Sequence, residues 1–296
     1  MSLRISVLLF LIFTLTGCDQ IGESQNYLIE LEEFESLYTL NSTKIIDFRK
    51  PEEFQEGHIK NAINIWRTDV ENKNFPYGGM KPSKEQLEAL FSKLGIRNDD
   101  TLIIYDEKGL SDSARLWWVL QYYNFKKVKL INGGLTTLKK ASFTLTKETT
   151  VFPSSNFKFE GINSSFYASK EQIEKAMNTS SILVDTRTKD EFSGKQIKKG
   201  AYQAGRIPTS ILIDWADAIN YSGDKKIKPI AELNKIYNGL NNHKNDTIYV
   251  YCHSGVRSAH TTFVLTQLLN YKHVLNYDGS WTEWSYHKNL PIKKDN

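Results

Sequence analysis

The chain of 296 residues runs through the same series of short motifs twice, and this duplication is the strongest constraint on its fold. Ile45-Ile46-Asp47-Phe48-Arg49-Lys50-Pro51-Glu52-Glu53-Phe54 is matched by Leu183-Val184-Asp185-Thr186-Arg187-Thr188-Lys189-Asp190-Glu191-Phe192, and Gly57-His58-Ile59 by Gly205-Arg206-Ile207. Leu102-Ile103-Ile104-Tyr105-Asp106 corresponds to Ile248-Tyr249-Val250-Tyr251-Cys252, and Asn132-Gly133-Gly134 to Asp278-Gly279-Ser280. The offset is 138 residues from Asp47 to Asp185 and 146 from both Asp106 to Cys252 and Gly133 to Gly279, so one modest insertion near Gly194 to Gln203 separates the halves.

Each half alternates β-branched runs with helical patterns, the arrangement of parallel strands joined by covering helices. Ser83 with Gln86 and Ser169 with Gln172 read as capping boxes, and Gly95 stops the helix expected over Lys84 to Leu94. Residues 142–164 are rich in Ser and Thr, lack helical periodicity and contain Pro153, which reads as an interdomain linker. Two facing domains create a natural cleft.

The halves differ at one decisive position. Cys252 closes the strand-like run Thr247 to Tyr251 and opens Cys252-His253-Ser254-Gly255-Val256-Arg257-Ser258, which precedes the apolar-periodic stretch Ala259 to Leu269. A turn between a strand end and a helix start gathers backbone N–H groups and the positive end of the helix dipole, so it favours an anion. A thiolate at Cys252 is that anion, with Arg257 as a source of positive potential that lowers its pKa; His253 either adds to that potential, hydrogen-bonds substrate, or is a solvated loop side chain. Gly255 permits backbone conformations that a Cβ would hinder. The first half has Asp106 in this place, inside the acidic turn Asp106-Glu107-Lys108-Gly109. With a carboxylate in place of the thiol, the first half is expected to be inert in thiol chemistry and to close one wall of the site.

The only other cysteine, Cys18, follows a leader-like segment: Arg4, the apolar run Ile5 to Leu15, then Leu15-Thr16-Gly17-Cys18. That run is too short to span a bilayer, which takes about 20 apolar residues, and fits a signal-peptide core. The folded body then holds one thiol, which makes neither an internal disulfide nor a zinc site, and no metal or cofactor is expected. Removing residues 1–17 leaves 37 basic against 34 acidic residues, a mild balance without basic blocks, so nucleic-acid binding is not suggested.

Together these motifs resemble a tandem-domain rhodanese, or sulfurtransferase, over roughly Tyr27 to Pro291. The second half carries the family's active-loop pattern Cys-x-x-Gly-x-Arg at Cys252 to Arg257, and its C-terminal pattern at Tyr277-Asp278-Gly279-Ser280-Trp281-Thr282-Glu283-Trp284. The first half carries the N-terminal pattern at Phe54 to Ala62, with Lys60-Asn61 replacing the usual Pro-Gly. Arg206 replaces a usual His near the cleft. The resemblance implies an α/β fold of two rhodanese-like domains, each a parallel sheet covered by helices on both faces. The expected divisions are a signal peptide at 1–17, a tether at 18–26, a non-catalytic domain at 27–141, the linker at 142–164 and a catalytic domain at 165–291. Leu-Thr-Gly-Cys resembles a bacterial lipobox, implying lipid attachment at Cys18 and a membrane-tethered protein facing the periplasm or exterior of the cell envelope.

The implied chemistry is transfer of a sulfane sulfur from thiosulfate, through a Cys252 persulfide, to cyanide or a thiol. Arg187, supported by Asp185, matches the family position that binds the anionic donor; as an isolated residue it would otherwise pair with Asp190 or Glu191 at the surface. Ser254 falls where mercaptopyruvate-using relatives place a proton-relay serine, or else it bonds only to loop backbone. Those relatives read Cys-Gly-Ser-Gly-Val-Thr, so His253 and Arg257 favour thiosulfate over mercaptopyruvate. Phosphatases related to this fold place five residues between Cys and Arg, against four here, and the smaller ring suits one sulfur. A sulfur carrier with little turnover is the non-enzymatic alternative. Trp281 and Trp284, spaced i and i+3, read as packing residues.

Overall fold

The computed structural model describes residues 26–240 and 243–295; the expected leader and Cys18 lie outside them. Among the described residues, no helix is long and apolar enough to cross a membrane. Two five-stranded sheets form, all pairs within them parallel. The first runs in the order Leu28–Ile29, Val128–Ile131, Thr101–Tyr105, Thr43–Asp47, Ala62–Asn64. The second runs Ile211–Leu212, Ile182–Asp185, Thr247–Tyr251, His273–Tyr277, Tyr167–Ala168, which is the same topology traced from its opposite edge. Central strands are apolar on both faces, as helix-covered parallel strands must be: Leu102, Ile103 and Ile104 are all fully buried.

Local signals in the sequence form as expected. Ser83 and Ser169 cap their helices reciprocally with Gln86 and Gln172, and Gly95 follows helix Lys84–Lys93 with φ of 71°. Asn61 takes the left-handed turn at φ 64° where the family usually has Gly, a conformation Asn tolerates. The Ser/Thr-rich stretch 142–164 is a packed strap. Its Leu145–Thr146 pairs antiparallel with His58–Ile59, and Phe157 and Phe159 are buried against Phe91 and Tyr123.

The two halves share one apolar core that includes Ile104 and Trp117 from the first and Val250 and Phe263 from the second. Its seam is the pair of helices that follow the two equivalent loops, Ser111–Tyr122 and Val256–Phe263, where Trp117 meets Phe263 edge to face at 4.9 Å. Above this seam Arg115 pairs with Asp278 across the halves at 2.7 Å, both side chains being buried, and also donates to the Gly79 and Gly255 carbonyls. Truncating one partner strands a buried charge. Arg115→Ala should therefore lose about 3–5 kcal/mol of unfolding free energy, read by urea denaturation.

Behind the second loop, His260 is fully buried with neither ring nitrogen hydrogen-bonded, edge-on to Trp215. Burial pushes its pKa down to about 3 from 6.5. The unfolded chain therefore takes up this proton first, so the contribution is intact above pH 6.5 and is lost as pH falls toward 3. The loss of stability in that window should be smaller in His260→Phe than in the parent chain, compared by denaturant titration across the pH series.

Candidate active site

Asp185 and Arg187 stand at the end of strand Ile182–Asp185, where the sequence directs the donor anion. The Arg187 guanidinium instead closes on Asp185 through Nε and Nη2, donates to the Gly205 carbonyl and lies 4.6 Å over the Trp281 ring. It is 2% exposed and lines neither cavity of the cleft, so the donor-binding assignment is corrected, as is the alternative of a surface pair with Asp190 or Glu191. Its Nε and Nη2 donors are committed to Asp185 and the Gly205 carbonyl. Arg49 does the same with Asp47 and the Gly57 carbonyl in the first half. The pair is a structural brace of the fold, present in both copies. Arg206 is likewise structural: it covers Phe192 and pairs with Asp295, away from the cleft.

The loop after Tyr251 is built around its thiol. Gly255 begins the helix in the left-handed region, φ 75°, and a Cβ there would meet the Asp278 carbonyl oxygen at 2.6 Å and Arg115 at 2.8 Å. Ser280 locks the loop from behind: its Oγ accepts from the Cys252 and Gly255 amides at 3.1 Å each and donates to the Tyr277 carbonyl. The Cys252 and His253 carbonyls accept from the amides of Trp281 and Thr282 at the start of helix Ser280–Tyr286. Trp281 and Trp284 on that helix are buried, as their spacing predicts.

Cys252 is 1% exposed, yet its surroundings are not a sealed apolar interior. It lines a cavity of about 350 Å³ together with Arg257 and Lys198 from its own half and Arg67, Lys108 and Ser111 from the other. Burial pushes the thiol up; Arg257, the Ser258 hydroxyl at 3.5 Å and the Ser258 and Ser254 amides outweigh it, and the net displacement is downward. Ser258 thus supplies the hydroxyl that touches sulfur. Ser254 sits over Gly79 on the cavity wall, where a Cβ on that glycine would come within 2.6 Å of the serine Cβ.

Arg257 is held facing the sulfur by a bidentate pair with Glu191 at 2.7 and 2.8 Å. Burial raises the Glu191 carboxyl, but Arg257 prevails and holds it at about 2. His253 does not add positive charge. Burial, Lys198 and Arg257 push it down to about 4, so at neutral pH it is an uncharged ring; its Nε2 bonds the Lys199 carbonyl oxygen at 3.1 Å. The insertion near Gly194 to Gln203 thereby has a use, since it carries Lys198, Lys199 and Gly200 to the cleft.

The first-half loop shows what this backbone does with an anion. Asp106, in the place of Cys252, accepts from the amides of Lys108, Leu110, Asp112 and Ser113 at 2.9–3.0 Å. Its cradle is filled by its own carboxylate. Arg67, anchored on Asp112, and Lys108 leave this half and face the opposite sulfur. Neither cation, nor Lys198, was indicated by the sequence motifs, because charges on intervening loops carry no periodic signal; only the cross-half arrangement reveals them. Among the described residues no His, Cys, Asp and Glu cluster could hold a metal ion.

A family model described as "Rhodanese-like domain" matches residues 30–141 and again 169–287. A relative from Thermus thermophilus named sulfur carrier protein TtuD is 35% identical over 252 residues, covering 81% of this chain and 87% of the relative. A protein of Mycolicibacterium smegmatis provisionally named thiosulfate sulfurtransferase is 34% identical over 249 residues, with 81% and 87% covered. Among solved structures, the anaerobic ergothioneine biosynthesis enzyme from Chlorobium limicola superposes with a TM-score of 0.81 at 20% identity, covering 93% of this chain and 71% of that one. The crystal structure of YnjE does so with a TM-score of 0.78 at 24% identity, covering 91% and 68%. These two share the fold.

The electrostatics of the loop have a direct readout. The pH profile of Cys252 alkylation by iodoacetamide should have its midpoint below that of free cysteine, and Arg257→Gln should move it upward.

Proposed function

Since the chain belongs to the rhodanese family, a premise that makes it a sulfurtransferase-type enzyme, we propose that it moves a sulfane sulfur from thiosulfate through a persulfide on Cys252 to a thiol or cyanide. The observation that carries this reading is the position of the Cys252 sulfur on a cavity faced by Arg257, Lys198, Arg67 and Lys108. Such a cavity concentrates a small dianion, and its cations face the place where the departing group carries charge.

The step is a displacement at sulfur. The Cys252 thiolate attacks the outer sulfur of thiosulfate, the S–S bond of the donor breaks with both electrons going to sulfite, and Cys252 is left as a persulfide. The new anionic sulfur takes the role that the Asp106 carboxylate plays in the first half, with loop amides and the Ser258 hydroxyl around it. Acceptor attack on the outer sulfur then restores the Cys252 thiolate. Arg257, braced by Glu191, holds the thiolate and Lys198, Arg67 and Lys108 receive the donor.

Mercaptopyruvate is the runner-up donor. The relative named as a sulfur carrier favours a second reading, in which the same persulfide is delivered to one protein acceptor with little turnover. Lipid attachment at Cys18 and a place in the bacterial cell envelope belong to the proposal as well, on the strength of Leu15-Thr16-Gly17-Cys18. A cell-labelling experiment with a clickable fatty acid tests it, with incorporation lost in Cys18→Ala.

Whole-protein mass spectrometry after thiosulfate treatment should show one added sulfur, absent in Cys252→Ala. Lys198→Ala should raise KM for thiosulfate by about tenfold in the cyanide assay, the order expected for one charge-assisted contact. An unmodified mass in the parent chain would sink the assignment.

A further inference from the structure

The cleft has a second compartment. A cavity of about 300 Å³ lies beside the one that holds the sulfur, and the two share Arg67, His253, Ser254 and Val256 as a common wall. Trp66 and Val70 add apolar wall to the shared Val256; Gly78, Gly79 and Gly200 leave the space open by having no side chain; and its charged lining is Arg67 and Lys199 with Glu71, whose carboxylate accepts from the Gly79 amide. Gly79 and Gly200 both have left-handed backbones, φ 98° and 97°, so the chain bends around this space on residues that any other side chain would strain. The wall is also assembled from both halves, with Trp66 to Glu71 and Gly78-Gly79 from the first and Lys199-Gly200 from the insertion in the second.

From this juxtaposition we propose, resting on the sulfurtransferase reading, that the Trp66 compartment is an acceptor subsite for an organic thiol bearing a carboxylate, separate from the cation-lined donor compartment. A thiosulfate dianion has no apolar surface to bury and gains nothing from Trp66, whereas a thiol with a hydrocarbon chain does. The chain lies along Trp66, Val70 and Val256, the carboxylate meets Arg67 and Lys199, and the thiol reaches across the shared wall to the persulfide. The exchange is balanced without an oxidant. The acceptor sulfur bonds to the outer sulfur, the Cys252 S–S bond breaks with its electrons returning to Cys252, and the acceptor leaves as a hydropersulfide while its thiol proton passes to solvent or product. Arg67 faces both compartments, whereas Lys198 and Lys108 line only the donor side and Trp66 and Lys199 only the acceptor side.

The test uses the full chain loaded with thiosulfate, freed of excess donor and mixed with either dihydrolipoate or cyanide, the added sulfur being followed by mass. Cyanide is too small to use the apolar wall. The ratio of the dihydrolipoate rate to the cyanide rate should fall by about tenfold in Trp66→Ala, the scale for losing one substantial apolar contact, and also in Lys199→Ala, with Trp66→Phe recovering most of the first loss. A ratio unchanged within about twofold in both variants, with persulfide loading normal, would overturn the acceptor compartment and leave the parent reading standing. Failure of the parent chain to form any persulfide would overturn both.

Discussion

The buried ion pair between Arg115 and Asp278 turns two similar domains into one site. Desolvating both charges is costly, and the geometry offsets it only because the remaining groups are matched: Arg115 also reaches the carbonyls of Gly79 and Gly255, and Asp278 takes the Lys81 amide. Gly255 is the hinge of the catalytic loop, Gly79 faces Ser254, and Arg115 rises from the first-half helix that follows Asp106. The pair therefore fixes how far Arg67 and Lys108 stand from a sulfur that the other half carries. A loss of this register would leave both domains folded in outline and the cavity without its shape.

Two copies of one loop illustrate how little separates a functional cradle from a structural one. Both start a helix from a left-handed glycine region, Gly109 at 69° and Gly255 at 75°, and both aim amides at the residue that follows the preceding strand. With Asp106 the side chain is short, and four amides close on its carboxylate. With Cys252 the anion depends on ionisation, so the loop adds what the first copy lacks: a hydroxyl from Ser258 and a cation from Arg257, itself pinned by Glu191. Burial opposes the thiolate, and these contacts are what reverse the sign.

The duplication, the alternation of parallel strands with covering helices, the helix caps at Ser83 and Ser169 and the central thiol were legible in the sequence, because repeats, capping boxes and a turn between strand and helix are local patterns. Arg187 was misjudged for a physical reason. An arginine two residues after an aspartate at a strand end can face outward to a ligand or fold back, and the choice is made by Trp281 and the Gly205 carbonyl, which are distant in sequence. His253 stayed open among several roles in the sequence, since its charge depends on burial beside Lys198 and Arg257. The donors from the other half, Arg67 and Lys108, became visible only once the halves were docked. Residues 142–164 showed the opposite failure: a polar composition concealed Phe157 and Phe159, whose rings pin the strap to the first domain.

The filled cradle at Asp106 also bears on capacity. Under the proposed sulfur transfer, with one of two equivalent loop positions filled by its own carboxylate, the described residues offer one loading place, and no relay runs from one domain's loop to the other's. The cargo would then pass from Cys252 directly to an outside molecule, so the duplicated architecture shapes one port and does not buffer a reserve.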